Sequence, residues 1–125
     1  MKQKSNLIII CLCLSLGYCM LSCVQATKKQ TVHFEVDARQ EADLSSISVR
    51  GSLAPLNWND NFELSDEDQD SIYTGSITFD IPYDYVNIKF VKNAEQFELD
   101  NQDNRKLVFD KSQTTTYQAI FNQPN

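Results

Sequence analysis

Hydrophobic and polar residues alternate along most of the chain from about residue 27 onwards. Between Thr31 and Asp37, for example, Val32, Phe34 and Val36 share one side and polar residues occupy the other. A period of two is typical of β-strands with one buried face. It predicts six strands, over residues 31–37, 46–51, 71–81, 85–92, 106–109 and 114–121. Since no part of this region has a sustained helical period, the pattern predicts an all-β domain.

The connections between these segments are rich in Pro, Asn, Asp and Ser, which favour turns. Short alternating strands with such turns are typical of an immunoglobulin-like antiparallel β-sandwich. We therefore expect residues 27–125 to form one sandwich domain. The apolar faces of the strands predict a single core, made of Val32, Phe34, Ile47, Val49, Ile77, Phe79, Val86, Ile88, Phe90 and Phe121.

The first 26 residues have a different character. Lys2 and Lys4 precede an almost wholly apolar run over residues 7–21, which is the arrangement of a signal peptide. Two processing sites fit equally well: cleavage after Ala26, and a bacterial lipobox ending at Cys23. Either one predicts export to the periplasm, the cell surface or the medium. A lipid on Cys23 is the one membrane attachment that this segment predicts.

Mass spectrometry of the mature N-terminus will distinguish the two processing sites. A free amino group on Thr27 is expected after cleavage at Ala26, and a diacylglyceryl group on Cys23 after lipobox processing. An intact Met1 in the cell envelope fraction would contradict both.

Charge and cysteine content restrict the partners and the chemistry. The chain has 11 basic and 17 acidic residues, and the first 26 residues hold two of the basic ones and no acid. The remainder therefore carries a net charge of about −8, which disfavours nucleic acid as a partner. Disulfides and cysteine-type zinc sites are excluded from the domain. All four cysteines precede it, namely Cys11, Cys13, Cys19 and Cys23.

Catalytic signatures are not found in the sequence. The domain has no Gly-x-Ser-x-Gly elbow, no cysteine nucleophile and a single histidine, His33, at an outward strand position. A sandwich of this size also has little room for the deep cleft in which a glycosidase places two carboxylates. We expect no enzyme activity and no cofactor.

An acidic run at Asp66, Asp68 and Asp70 has the alternate spacing of a calcium-binding loop. However, Ser71 occupies the position of the turn glycine, and Ile77 that of the bidentate glutamate. This run is therefore predicted to be a solvated hairpin loop, and no metal site is expected.

Trp58, the one tryptophan of the chain, lies in a loop-like segment, Leu53-Ala54-Pro55-Leu56-Asn57-Trp58-Asn59-Asp60-Asn61. Tryptophan is usually buried, but Pro, Asn and Asp mark surface loops. The side chain therefore either folds back as a plug or is displayed as a flat binding surface.

Several short motifs follow one another along the predicted strands and loops. In order they are Gly51-Ser52, Leu56-Asn57-Trp58, Ile88-Lys89-Phe90, Phe97-Glu98 and Asn104-Arg105. This series resembles the starch-binding domains of carbohydrate-binding module family 20 and their relatives in family 48. The resemblance covers residues 32–121, nearly the whole domain.

The resemblance implies an exported, non-catalytic module that docks α-glucan (starch, glycogen or maltooligosaccharide), alone or beside a glycan-degrading enzyme or surface complex. Trp58 and Phe97 would form the aromatic platform, where Phe97 replaces the tryptophan that is usual in the family. Lys89, Glu98 and Asn104 would supply polar contacts to the sugar.

Each of these residues also has a structural interpretation. Lys89 fits an ordinary outward strand position, Phe97 a core position and Glu98 a solvated strand charge. Asn104 and Arg105 fit a turn in which the arginine holds a neighbouring loop. The alternative function is an exported β-sandwich for protein–protein contact, with the Trp58 loop packed onto a partner and no glycan bound.

Overall fold

The computed structural model describes residues 27–81 and 83–125, so the predicted signal peptide lies outside the described residues. This part of the chain forms eight strands, which are β1 (Lys28–Asp37), β2 (Ile47–Gly51), β3 (Phe62–Glu63), β4 (Ile72–Ile81), β5 (Tyr85–Lys92), β6 (Gln96–Phe97), β7 (Arg105–Val108) and β8 (Thr114–Ile120). Across the same residues, no helix has the length and apolarity needed to cross a membrane.

The strands form two sheets. One has three strands in the order β4-β1-β8, and the other has five, with the order β3-β2-β5 and both β6 and β7 paired with β5. All pairs are antiparallel except one, in which β8 runs parallel to β1 and Thr114 lies beside Thr31. The predicted all-β, immunoglobulin-like sandwich is confirmed, and its sheets are antiparallel apart from this one pair.

The core lies between the two sheets. Phe34 of β1 meets Phe90 of β5 edge to face, with ring centroids 6.1 Å apart, and Phe79 of β4 packs on Phe109 at 5.7 Å. All ten residues predicted for the core are buried. The prediction holds because period-two alternation identifies the buried face of each strand, whichever strand lies beside it.

The outer face of the five-stranded sheet carries the residues of interest. In the β2–β5 ladder Arg50 lies opposite Lys89, and the β5–β6 ladder places Phe97 opposite Val91. Residues directly opposite in an antiparallel pair point to the same side. Because the neighbours Val49 and Ile88 are buried in the core, Arg50 and Lys89 point outwards.

Candidate functional site

The Trp58 loop connects β2 to β3 and is fixed at its start. The backbone N–H of Gly51 donates to the carbonyl of Asn57 at 3.3 Å, and Leu56 inserts into the core with 5% exposure. A Cβ at position 51 would lie 2.9 Å from both the Leu56 side chain and the Asn87 carbonyl. Glycine is therefore required here, since any side chain would displace the loop from β5.

The side chain of Asn57 stabilises a turn that contains Trp58. Asn57 Oδ1 accepts hydrogen bonds from the backbone N–H groups of Asn59 and Asp60, each at 2.8 Å, and Asn57 Nδ2 donates to Asp60 Oδ2 at 3.1 Å. Asparagine stabilises such turns by replacing a backbone acceptor. Trp58 is 36% exposed, so this turn holds the side chain at the surface, with part of its area packed against the protein.

Arg50 connects this loop to the β5–β6 hairpin. Its Nε donates to Asn61 Oδ1 at 2.8 Å, its Nη1 to the Trp58 carbonyl at 3.0 Å and its Nη2 to the Ala94 carbonyl at 3.4 Å. The amide of Asn61 donates to the same Ala94 carbonyl at 2.9 Å. Two segments that are distant in sequence are thus held by one planar guanidinium, whose fork of donors suits several acceptors at once.

Phe97 completes this arrangement on the other side of Arg50. The guanidinium carbon of Arg50 lies 5.1 Å from the centre of the Phe97 ring, within the range of a cation–π contact. Phe97 is 40% exposed and therefore lies outside the core. Arg50 thus contacts the backbone of Trp58 and the ring of Phe97, and the sequence analysis missed that arginine.

Lys89 lies beside Arg50 and is half-buried. Its Nζ donates to the carbonyls of Leu99 and Gln102 at 3.1 and 3.0 Å. Lys89 therefore anchors the β6–β7 loop over the outer face. Two of the three N–H bonds of its ammonium group are used in this way, which leaves one for a ligand.

Asn104 is exposed and immediately precedes β7. Because Ile88 pairs with Arg105, Asn104 lies one residue beyond the ladder, at the register position of Lys89. It also borders a cavity of about 560 Å³ between the β6–β7 loop and the C-terminal segment, where its amide-bearing neighbours are Asn101, Gln102 and Asn125. Asn104 can therefore offer both a donor and an acceptor to a ligand at this end of the sheet.

Glu98 does not reach the surface, and we remove it from the set of ligand-binding candidates. Its side chain is fully buried and forms a two-point ion pair with Arg105, with Nε–Oε1 at 2.7 Å and Nη2–Oε2 at 2.8 Å. The same carboxylate accepts hydrogen bonds from the backbone N–H groups of Phe90 and Asn122. Every strong acceptor position of Glu98 is thus satisfied inside the protein.

Arg105 has a structural role, in agreement with the structural interpretation of the Asn104-Arg105 motif. Besides Glu98, its guanidinium donates to the carbonyls of Ile120 and Gln123 and to the side chain of Asn125, so it fastens the C-terminal segment to β7. Burial lowers the pKa of Arg105, but the hydrogen bonds and the charge of Glu98 outweigh burial, so that the pKa is raised overall. Arg105 is charged under all ordinary conditions.

The acidic run forms the exposed connection between β3 and β4. The carboxylates of Asp66, Asp68 and Asp70 offer oxygen atoms within 4.8 Å of one another. However, Asp66 already accepts hydrogen bonds from the backbone N–H groups of Asp70 and Ser71, which shape the turn. Partial desolvation of Asp68 and, after it, repulsion by the neighbouring charge of Asp70 raise the pKa of the Asp68 carboxyl.

Comparisons with known proteins place the chain in no family. No protein-family model matches it, and no curated protein does. Among solved structures it is similar to CBM25-2 of the beta/alpha-amylase from Paenibacillus polymyxa, at 15% identity and a TM-score of 0.42 over 73% of this chain and 82% of that chain. The name of that domain gives no specific support for family 20, the family that the motif series resembles. At this level of similarity the likeness assigns no residue and transfers no function to this chain.

Proposed function

We propose that the protein is an exported, non-catalytic carbohydrate-binding module that docks α-glucan on the platform formed by Trp58 and Phe97. One observation carries the proposal: two exposed aromatic residues from separate segments are tied to one side chain, because Arg50 donates to the backbone carbonyl of Trp58 and lies over the ring of Phe97. Exposed aromatic residues held in place by polar contacts provide a preorganised surface. Their ordering costs little when a ligand binds.

Such a platform suits a sugar ring. The apolar face of a glucose ring carries C–H bonds that pack on the negative face of an aromatic ring. The hydroxyl groups at the rim of the sugar require directional donors and acceptors, which Lys89 and Asn104 supply. Because the platform is shallow and open to water, we expect a binding free energy of about −4 to −5.5 kcal/mol, which corresponds to a dissociation constant of about 0.1–1 mM.

The choice of α-glucan follows from the motif series. The resemblance to family 20 implies α-glucan contacts at Trp58, Lys89 and Asn104. The assignment is supported by the register, in which Asn104 lies at the position of Lys89. Glu98 takes no part in the proposed site, because it is buried. Phe97 presents a narrower face than tryptophan, so the affinity is expected to lie at the weak end of that range.

Affinity electrophoresis in amylopectin gels tests this proposal. The wild-type protein is expected to be retarded, and Trp58→Ala is expected to remove the retardation because an aromatic anchor carries much of the energy of a shallow contact. Tyr83→Ala is a matched control, since Tyr83 is an exposed aromatic residue (67%) in the β4–β5 connection and is not part of the proposed platform.

Circular dichroism provides the control for folding. Retention of native strand signal by Trp58→Ala, together with loss of binding, supports a displayed ring. Unretarded wild-type protein combined with an unfolded Trp58→Ala variant would show that Trp58 is a plug, and would contradict the proposal.

A protein–protein contact is the second candidate function, and a separate observation favours it. Tyr83, Tyr85 and Val108 are 67%, 43% and 56% exposed, and Tyr85 pairs directly with Val108 at one end of the outer face. Adjacent exposed apolar side chains are typical of a surface that contacts another protein. A glycan-degrading enzyme or a surface complex would be a suitable partner for such a module.

A further inference from the structure

Two cations lie side by side within the proposed site. Arg50 and Lys89 are directly opposite each other on β2 and β5, and both point to the outer face. Side chains in such positions begin only about 4.5–5.5 Å apart at their Cβ atoms. Both are half-buried, so solvent screens their mutual repulsion only in part.

Neither Arg50 nor Lys89 forms an ion pair with an acidic residue in the described part of the chain. Within residues 27–81 and 83–125, all hydrogen bonds of Arg50 and Lys89 go to neutral carbonyl or amide oxygens. The ion pairs in this part of the chain involve other cations, namely Lys29, Arg39, Lys92 and Arg105. Lys28, Lys106 and Lys111 likewise form no ion pair among these residues, but Arg50 and Lys89 are the two that the β2–β5 ladder places directly opposite each other.

Both cations keep donors that the fold does not use. A guanidinium has five N–H bonds and an ammonium group has three. Three of those of Arg50 and two of those of Lys89 are engaged, which leaves two and one respectively. Like charges directly opposite each other in a sheet destabilise it. An anion placed between them would relieve that repulsion and would use the remaining donors.

We propose that the platform recognises a glycan carrying an acidic group, a carboxylate or a phosphate ester, which binds between Arg50 and Lys89 while the sugar ring stacks on Trp58 and Phe97. This inference rests on the proposed function and specifies its ligand. The overall charge of about −8 repels anions at long range. Any preference for an acidic glycan must therefore come from local cations, and Arg50 and Lys89 are the two that lie opposite each other at the platform.

Isothermal titration calorimetry with three ligands that share one oligosaccharide chain tests the inference. They are neutral maltoheptaose, maltoheptaose oxidised to carboxylates at C6, and maltoheptaose phosphorylated at C6. At low ionic strength the acidic forms are expected to bind about tenfold or more tightly than the neutral form, and at about 0.5 M NaCl the preference should fall to about twofold or less. The form with the greater preference identifies the acidic group.

The outcomes separate this inference from the proposed function. Equal binding of all three ligands would overturn the inference and leave the α-glucan module standing. No binding of any ligand would overturn both. Equally tight binding of polyglutamate, an anion without sugar rings, would show attraction to charge alone and would also overturn the inference.

Charge variants locate the preference on the protein. Lys89→Gln is expected to reduce the ratio of acidic to neutral affinity at least threefold, because it removes one of the two cations. Lys29→Gln changes the net charge equally on the other sheet, where Lys29 pairs with Asp80, and should leave the ratio unchanged. An equal fall in both variants would contradict a local anion site. If Lys89→Gln fails to fold, the comparison of the three ligands with the wild-type protein still shows whether acidic glycans are preferred.

Discussion

Replacing Arg105 with alanine is expected to lower the free energy of unfolding by about 3–5 kcal/mol, because it leaves the Glu98 carboxylate buried and without its cation. The Glu98 side chain is fully buried, and Arg105 supplies two of its hydrogen bonds, at 2.7 and 2.8 Å. The substitution also releases the carbonyls of Ile120 and Gln123, which hold the C-terminal segment. Urea unfolding followed by circular dichroism measures the loss.

Two further variants make this prediction specific. The double replacement Glu98→Met with Arg105→Leu is expected to be less destabilising than Arg105→Ala alone, because no charge is left unpaired in the interior. Arg39→Ala breaks an exposed ion pair with Asp37 and should change stability little. A loss of under about 1 kcal/mol in Arg105→Ala would contradict a buried ion pair.

Phe90→Ala is expected to lower the free energy of unfolding by about 3–5 kcal/mol, because removing a large buried ring leaves a cavity that closes only in part. Phe90 is 0% exposed, meets Phe34 edge to face and packs beneath Arg105, whose guanidinium carbon lies 5.5 Å from the ring centre. Phe90 lies on the buried face of β5 between the rings of Phe34 and Tyr117, so its removal takes away contacts with both.

Phe97→Ala is the matched comparison, since it removes the same ring from the same sheet. It is expected to cost much less, because Phe97 is 40% exposed and its ring lies against the guanidinium of Arg50 rather than in the core. Comparable losses in the two variants during urea unfolding would place Phe97 in the core and would remove half of the platform.

Six of the eight described strands could be predicted from the sequence, but the two shortest could not. Alternation over seven or more residues identifies β1, β4 and β5 because one face of each must be apolar. The strands β3 and β6 have two residues each, too few to show a period. Nor does alternation reveal strand direction, and for that reason the parallel pairing of β8 with β1 was missed.

The site was predicted less completely, for physical reasons that differ between residues. Trp58 could be placed on a loop because its neighbours are turn-forming residues. Glu98 was misplaced although the period of two gives the answer: once Phe97 points outwards, the next residue points inwards. The role of Arg50 depends on contacts with Trp58 and Ala94, and no local pattern encodes contacts between distant segments.

The most direct test of the account is a titration of the intrinsic fluorescence of Trp58 with maltoheptaose. The chain contains one tryptophan, so its emission reports on the platform alone. A saturable change in emission is predicted, with a dissociation constant of about 0.1–1 mM. Emission that stays unchanged up to about 10 mM maltoheptaose would contradict the claim that Trp58 and Phe97 form a glycan platform.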